Sequence, residues 1–171
     1  MADFSWAGPP QIAALLLLIQ RGAEEAYSAR NTRALLAAGS VEAGRSYYPV
    51  VAISHLGWIA AIFLLIPAAA AVSWWLLAAF LGLQVVRYWV IGTLGRFWTH
   101  RIITLPSAPV VRRGPYALVR HPNYLVTVIE TALLPSVFGA HAIAAIFTAI
   151  WGAVIVYKIG LEDAALAARR N

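Results

Sequence analysis

Apolar positions dominate this chain and come in long runs, interrupted by short segments that hold nearly all the charge. A membrane-spanning helix needs about 20 mostly apolar residues. Read on that scale, the pattern predicts five spans. The first runs from Phe4 to Gln20 around "IAALLLLI", the second from Tyr48 to Ile66 and the third from Ala68 to Val90. The fourth runs from Leu125 to Phe138 and the fifth from Ala142 to Ile159. Four spans is the alternative, if the first run lies in the interface. Pro67 leaves only a tight turn between the second and third, which are expected to pair as a hairpin. Gly139-Ala140-His141 does the same for the fourth and fifth. Between the first two spans, Ala23 to Gly39 reads as a cytoplasmic amphipathic helix, with Gly39 as its C-terminal cap. The expectation is an all-α polytopic membrane protein, one domain over residues 1–171.

Composition supports that class. Of 171 residues, 61% are hydrophobic and 12% charged, about half the charge of an ordinary soluble domain. The formal net charge of +6 would suit a nucleic-acid binder, but its distribution argues otherwise. Arg21, Arg30, Arg33 and Arg45 fall in one connecting segment, and Arg96, Arg101, Arg112, Arg113 and Arg120 in a second. Lys158, Arg169 and Arg170 follow the last span, and Arg87 sits near the end of the third. With five spans these three segments share one side, and the outer turns carry no Lys or Arg. Positive-inside bias makes that side cytoplasmic. The C-terminus is then expected inside, and Trp74 and Trp75 in the opposite interfacial belt. No basic stretch precedes the first apolar run, so it reads as a retained span rather than a cleaved leader. The absence of cysteine excludes disulfides, thiolate metal sites and a thiol nucleophile. No metal-ligand spacing joins the four histidines.

The candidate chemistry lies in "RRGPYALVRHPNYL", residues 112–125. Pro115 and Pro122 fix φ and remove backbone donors, which makes Arg120 to Tyr124 a stiff turn into the fourth span. A lipid-anchoring basic loop is the bland reading. The wider pattern, "GPYALVRHPNY", an apolar hairpin and then "KIGLEDAAL", resembles the isoprenylcysteine carboxyl methyltransferase family. "RNTRALLAAGSVEAGRSYYPVVAISHLGW" and "LGRFWTHRIITLPSAPVVRRGPY" look like a small bacterial branch whose genes often accompany type III polyketide synthases. "RHPNY" alone is shared with membrane steroid-reductase-like proteins. The chain departs from the family pattern at Lys158, where arginine is usual, and at Asp163, where a second glutamate is usual. Lysine cannot supply arginine's planar fork. Larger relatives also carry a tyrosine-containing tail that helps close the site; here closure is expected from the Arg21–Arg45 segment.

The resemblance implies an S-adenosylmethionine-dependent methyltransferase of the bacterial inner membrane, with its catalytic half at about residues 94–171. The cofactor pocket would face the cytoplasm, built from Tyr116, Val119, Arg120, His121, Pro122, Asn123, Tyr124, Lys158, Glu162 and Asp163. Glu162 and Asp163 would meet the cofactor's cationic groups. No "GxGxxG" loop is present, so helices and a turn would hold it. Intramembrane ionisable residues are usually functional or paired. Glu130, Arg87 and His55 are therefore catalytic candidates, with inter-helix pairing of Glu130 to Arg87 or His55 as an equal alternative. His100 and His141 read as loop residues. The expected acceptor is a lipophilic small molecule such as an alkylpyrone or alkylresorcinol, entering from membrane lipids. His55, Gln84, Arg87 and Glu130 would mark the end of its path, in a cavity with one cytoplasmic and one lateral mouth. The alternatives are a prenylcysteine carboxylate or lipid amine, or a reductase-like or non-catalytic relative.

Overall fold

The computed structural model describes residues 7–104 and 111–167. Phe4, where the first span was expected to begin, and Arg169 and Arg170 lie outside them. Helix α1 (Pro9–Ala37) is followed by a short strand β1 (Val41–Ala43), α2 (Tyr48–Leu65) and α3 (Trp74–Leu94). Then come β2 (Ile102–Thr104), a single turn α4 (Pro115–Leu118), α5 (Pro122–Val137) and α6 (His141–Ala167). Among the described residues, α2, α3 and α6 are long and apolar enough to cross a membrane. The molecule is mainly helical, but not purely so: β1 and β2 pair antiparallel, Val41 opposite Thr104.

The helices run past the ends that hydropathy suggested. The first apolar run and the amphipathic segment after it form one helix, α1. Only Arg21 and Gly22 stand between them, and a single glycine costs about 1 kcal/mol, too little to break a propagating helix. The chain leaves α1 at Gly39, whose φ of 88° suits a left-handed cap. Likewise α6 continues past Ile159 to Ala167, carrying Lys158, Glu162 and Asp163 on one rigid element. His141 is the first residue of α6 rather than a loop residue.

The expected α2–α3 hairpin is not formed. α3 packs on α5, while α2 packs on α1 and α6, and α5 packs on α6. A tight turn does form at Pro67–Ala70, where the Ala70 amide donates to Pro67 O at 2.9 Å, but the chain then runs on without helix to Ser73; Pro67 forces Ile66 out of the helical region (φ −92°, ψ 124°). Neighbours then hold the extended segment. Gln11 Nε2 donates to the carbonyls of Phe63 and Ile66 at 2.9 and 2.8 Å. The Ser73 amide donates to Val137 O at 2.8 Å. Gly8 packs so closely on Ala68 that a Cβ there would lie 1.9 Å from the Ala68 carbonyl oxygen.

An apolar core of Leu17, Trp58, Ile62, Phe80, Leu134 and Val137 joins α1, α2, α3 and α5 near this end. The outer faces expose many large apolar side chains, among them Ile19, Ile53, Leu64, Val85 and Val156, as a lipid-facing surface does. Trp74 and Trp75 are exposed at the start of α3. At the opposite end, the α1–α2 and α3–α5 connections converge beside Lys158 of α6, tied together by the β1–β2 ladder and its contacts with α6.

Candidate active site

Two cavities meet at the basic end. The first, about 260 Å³, lies between α1, α2, α5 and α6. Its apolar walls are Val51, Ile59, Trp151 and Ile155, with exposed Leu18 and Leu56 at the rim, and its polar end holds Arg21, Glu25, Tyr47, Tyr48 and His100. The second, about 230 Å³, is bounded by Phe97, Trp98, Thr99, Arg101, Ile103, Tyr116, His121 and Glu162. Asn123, Tyr124 and Lys158 line both. The wall between the cavities is therefore the start of α5 and one turn of α6.

Pro122 places that wall. It opens α5 at the helix's first position, where a missing N–H costs nothing. Tyr124 then points at α6, donates its hydroxyl to Glu162 Oε1, and stacks its ring on His121 with centroids 5.1 Å apart and a 7° interplanar angle. Glu162 Oε2 lies 3.5 Å from His121 Nδ1. Burial pulls the His121 pKa down, with Glu162 opposing, so the ring favours its neutral form. Lys158 is buried, sits 4.8 Å from the Tyr124 ring centre, and donates to the His100 carbonyl at 3.1 Å. Among the described residues, His121 Nε2 and Asn123 Oδ1 at this wall are buried without a partner, as are Tyr47 Oη, His55 Nε2 and Trp151 Nε1 on the first cavity's side. Buried polar atoms are normally satisfied, so a row of open ones at a cavity suits a ligand.

Of the ten residues expected at the cofactor, six line the second cavity: Tyr116, His121, Asn123, Tyr124, Lys158 and Glu162. Arg120 and Asp163 instead pair with each other on the exposed surface. Pro122 is buried in the turn, and Val119 is exposed beyond it.

The three intramembrane candidates separate. Arg87 and Glu130 are 2% and 0% exposed and belong to one network. Glu130 accepts from Arg21, Gln84 and Arg87 at 2.7–2.9 Å. Glu24 accepts from Arg87 at 2.6 and 2.7 Å and from Arg21 at 2.6 Å. Two arginines face two glutamates across α1, α3 and α5. Glu130 does not line either cavity, while Arg21 and Arg87 reach the edge of the first. The His55–Glu130 pair is not made. His55 lies against Trp58 and Trp151, with ring centroids 5.8 and 4.5 Å away, and its Nε2 is unpartnered beside the first cavity.

Several residues of the site carried no sequence signal strong enough to single them out. Glu25 and His100 meet at 2.8 Å across 75 positions. Ser28 and Asn31, buried on α1, fix the segment that carries His100. Ser28 Oγ accepts from the His100 amide at 2.8 Å, and Asn31 Nδ2 donates to Trp98 O at 2.9 Å. Arg101 ties β2 to β1 through Glu42 at 2.8 Å and lies over the Tyr48 ring. Polar residues on the inward face of a helix were the available hint, and α1 read alone does not say which face is inward.

The model of the isoprenylcysteine carboxyl methyltransferase (ICMT) family matches residues 75–168, which hold the turn, α5, α6 and the second cavity. The chain belongs to the isoprenylcysteine carboxyl methyltransferase family. The uncharacterized protein YpbQ of Bacillus subtilis is 34% identical over 157 residues, covering 88% of this chain and 92% of that protein. An uncharacterized protein of Haemophilus influenzae is 26% identical over 147 residues, covering 81% and 84%. No solved structure gives a significant match. Membership of the family makes this a membrane protein of methyltransferase type. The residues ahead of position 75, which supply one side of the first cavity, fall outside the family match, while the match to YpbQ covers 88% of the chain and so includes most of them.

Proposed function

We propose that the protein transfers a methyl group from S-adenosylmethionine to an oxygen of a lipophilic acceptor, with cofactor and acceptor in the two adjoining cavities. The observation that carries this reading is their shared wall, Asn123, Tyr124 and Lys158. A displacement at carbon needs donor and acceptor in line and water excluded, and two chambers meeting at one wall suit that requirement.

The second cavity's residues fit the cofactor. Glu162 supplies a carboxylate for a cationic group, and Arg101 offers a donor for a carboxylate. Trp98, Phe97 and Tyr116 give aromatic faces for a purine. The open His121 Nε2 and Asn123 Oδ1 can bond a nucleoside. When bound, the sulfonium supplies the activated methyl group; the chain's own work is to bind, align and dehydrate. Lys158 keeps the wall rigid through His100 and two tyrosine rings.

The first cavity suits an amphipathic acceptor. Its deep walls are apolar, and exposed Leu18 and Leu56 sit at its rim on α1 and α2. A chain entering there from lipid gains about 0.8 kcal/mol per buried methylene. Its polar head would rest beside Tyr47, Tyr48 and His100. An alkylpyrone or alkylresorcinol has this shape. We further propose five spans with the basic end cytoplasmic, the first formed by the apolar half of α1 and the fourth by α5.

The test is calorimetric binding of S-adenosylhomocysteine to detergent-purified protein, followed by labelled methyl transfer in proteoliposomes to hydroxypyrones of short and long chain. Micromolar binding and rates rising with chain length are expected. Binding of NADPH in place of S-adenosylhomocysteine would overturn the methyltransferase reading, and equal rates for both chain lengths would overturn entry from the bilayer.

A further inference from the structure

The segment Trp98–Arg101 lies between the two cavities, and it divides its side chains. Trp98, Thr99 and Arg101 line the second cavity, while His100 lines the first. His100 is thus placed in the acceptor chamber at the level of the shared wall, because its own carbonyl holds Lys158. Its Nδ1 is 2.8 Å from Glu25 Oε2. The His100 hydrogen bond, opposed by burial and helped by a second bond from Tyr48, holds Glu25 below the usual carboxylate range. An ionised Glu25 fixes the proton on Nδ1, which leaves Nε2 as the ring's proton acceptor. The ring is further fixed by its edge-on contact with Trp98 at 4.7 Å and by the amide bond to Ser28.

We propose that Glu25 and His100 form a base dyad for the acceptor, with His100 as a catalytic residue and Glu25 as its positioning residue. It follows that the acceptor is a weakly acidic hydroxyl, enolic or phenolic, rather than a carboxylate, which is already ionised and needs no base. This rests on the proposed methyl transfer. In the step, the acceptor O–H gives its proton to His100 Nε2 and its oxygen lone pair forms the new C–O bond. The C–S bond breaks with its electron pair going to sulfur, so the sulfonium becomes a neutral thioether. The imidazolium later returns its proton to water. Such a base contributes roughly 100-fold or more to rate.

The groups facing the dyad are Tyr48 from α2, Lys158 from α6, Tyr124 from α5 and Arg101 from its own segment. Arg21 from α1, Arg87 from α3 and His55 from α2 line the same chamber. The cations among them favour an acceptor anion once it forms.

The experiment uses full-length protein in proteoliposomes and, first, no methyl donor. An alkylated nitrophenol reports its own ionisation by absorbance when bound. The wild type is expected to hold about ten times the phenolate-to-phenol ratio seen with His100→Gln, with Glu25→Gln in between. Equal ratios in all three overturn the dyad, whatever the catalytic outcome. With donor added, His100→Gln lowers kcat on a weakly acidic alkylphenol about 100-fold and flattens the acid limb of the pH profile. On the nitrophenol, at a pH raised until it is fully ionised in both proteins, the loss in kcat is at least about ten-fold smaller. Equal losses on both acceptors also overturn the proposal, since they mark a merely structural His100. If His100→Gln does not fold, the isosteric Glu25→Gln carries the same comparisons. Failure of the wild type to bind S-adenosylhomocysteine sinks the methyltransferase reading instead, and that result is separable because the ionisation measurement needs no donor.

Discussion

Two polar clusters lie within this apolar molecule, and they differ in one respect. In the Arg21–Glu24–Arg87–Glu130 network both carboxylates are saturated by donors, and among the described residues Arg21 Nε alone in the network lacks a partner. At the wall between the cavities His121 and Asn123, and beside it Tyr47, each keep a buried atom open among the described residues. Unsatisfied buried polar atoms cost about 1–3 kcal/mol each, and a fold keeps them only where something repays that cost. The saturated cluster therefore suits a scaffold, and the open atoms beside the cavities suit the proposed ligands. Glu130 illustrates the lesson. An acidic residue inside a span invites a catalytic role, yet its three donors leave it committed to holding α1, α3 and α5 together.

The largest expected effect tests the scaffold half of this contrast. Glu130→Ala leaves Arg21 and Arg87 short of a counter-charge in a largely buried site. Removing one partner of a buried pair costs about 3–5 kcal/mol. The expected outcome is a large drop in the unfolding midpoint in detergent, with loss of cofactor binding only as the protein unfolds. A folded Glu130→Ala protein of normal stability that had lost only turnover would break the comparison and return Glu130 to the reaction.

The sequence made the apolar stretches legible, and the turn at residues 120–124 with them, because length, proline and charge asymmetry are local signals. It did not show where helices end. Gly22 and Gly160 are weak breakers, and α1 and α6 run through them. The absent α2–α3 hairpin has a similar cause: Pro67 stops a helix but does not say what the next six residues pack against. The β1–β2 ladder joins three-residue strands about 60 positions apart, too short to show a period. Six of ten cofactor candidates reached the cavity because one turn and one helix face carry them. Arg120 and Asp163, adjacent in sequence to true lining residues, point outward and pair. The Glu25–His100 contact was illegible for want of any local pattern linking α1 to the segment before β2.

On the open cluster, Glu162→Gln is the most informative change. Glu162 takes the Tyr124 hydroxyl and faces His121, and it would also face the cofactor's positive charge. Losing that charge should weaken S-adenosylhomocysteine binding on the order of 10-fold or more, equivalent to about 1.4 kcal/mol or more, with little change in stability. Asp163→Asn, whose partner Arg120 is exposed, is expected to leave affinity nearly unchanged, as surface pairs contribute little. Calorimetry on both variants decides it, and equal losses would remove the distinction between lining and outward residues.

Asn123→Ala probes an open atom directly. Because Asn123 Oδ1 has no partner among the described residues, its removal should not destabilise the ligand-free protein. Ligand affinity should fall, by about the 0.5–1.5 kcal/mol of one hydrogen bond. A variant destabilised without ligand and unaltered in binding would show that Asn123 belongs to the scaffold after all.

The smallest effect concerns acid. Burial lowers the His121 pKa from the ordinary value of 6.5, so the folded protein binds fewer protons there than the unfolded chain. Stability therefore rises with pH across the window between the depressed value and 6.5, and falls as the pH drops through that window. His121→Gln removes this dependence. Its unfolding midpoint should match the wild type near pH 8 and decline less below about pH 6.5. The effect is modest because the ring is partly exposed and Glu162, 3.5 Å away, already offsets some of the cost of charging it. Glu162→Gln should enlarge the acid dependence by removing that offset. If the double variant behaves like His121→Gln alone, the two residues form one coupled unit at the wall. If Glu162→Gln leaves the wild-type acid profile untouched, the carboxylate does not act on the ring, and the contact at 3.5 Å is proximity without energy.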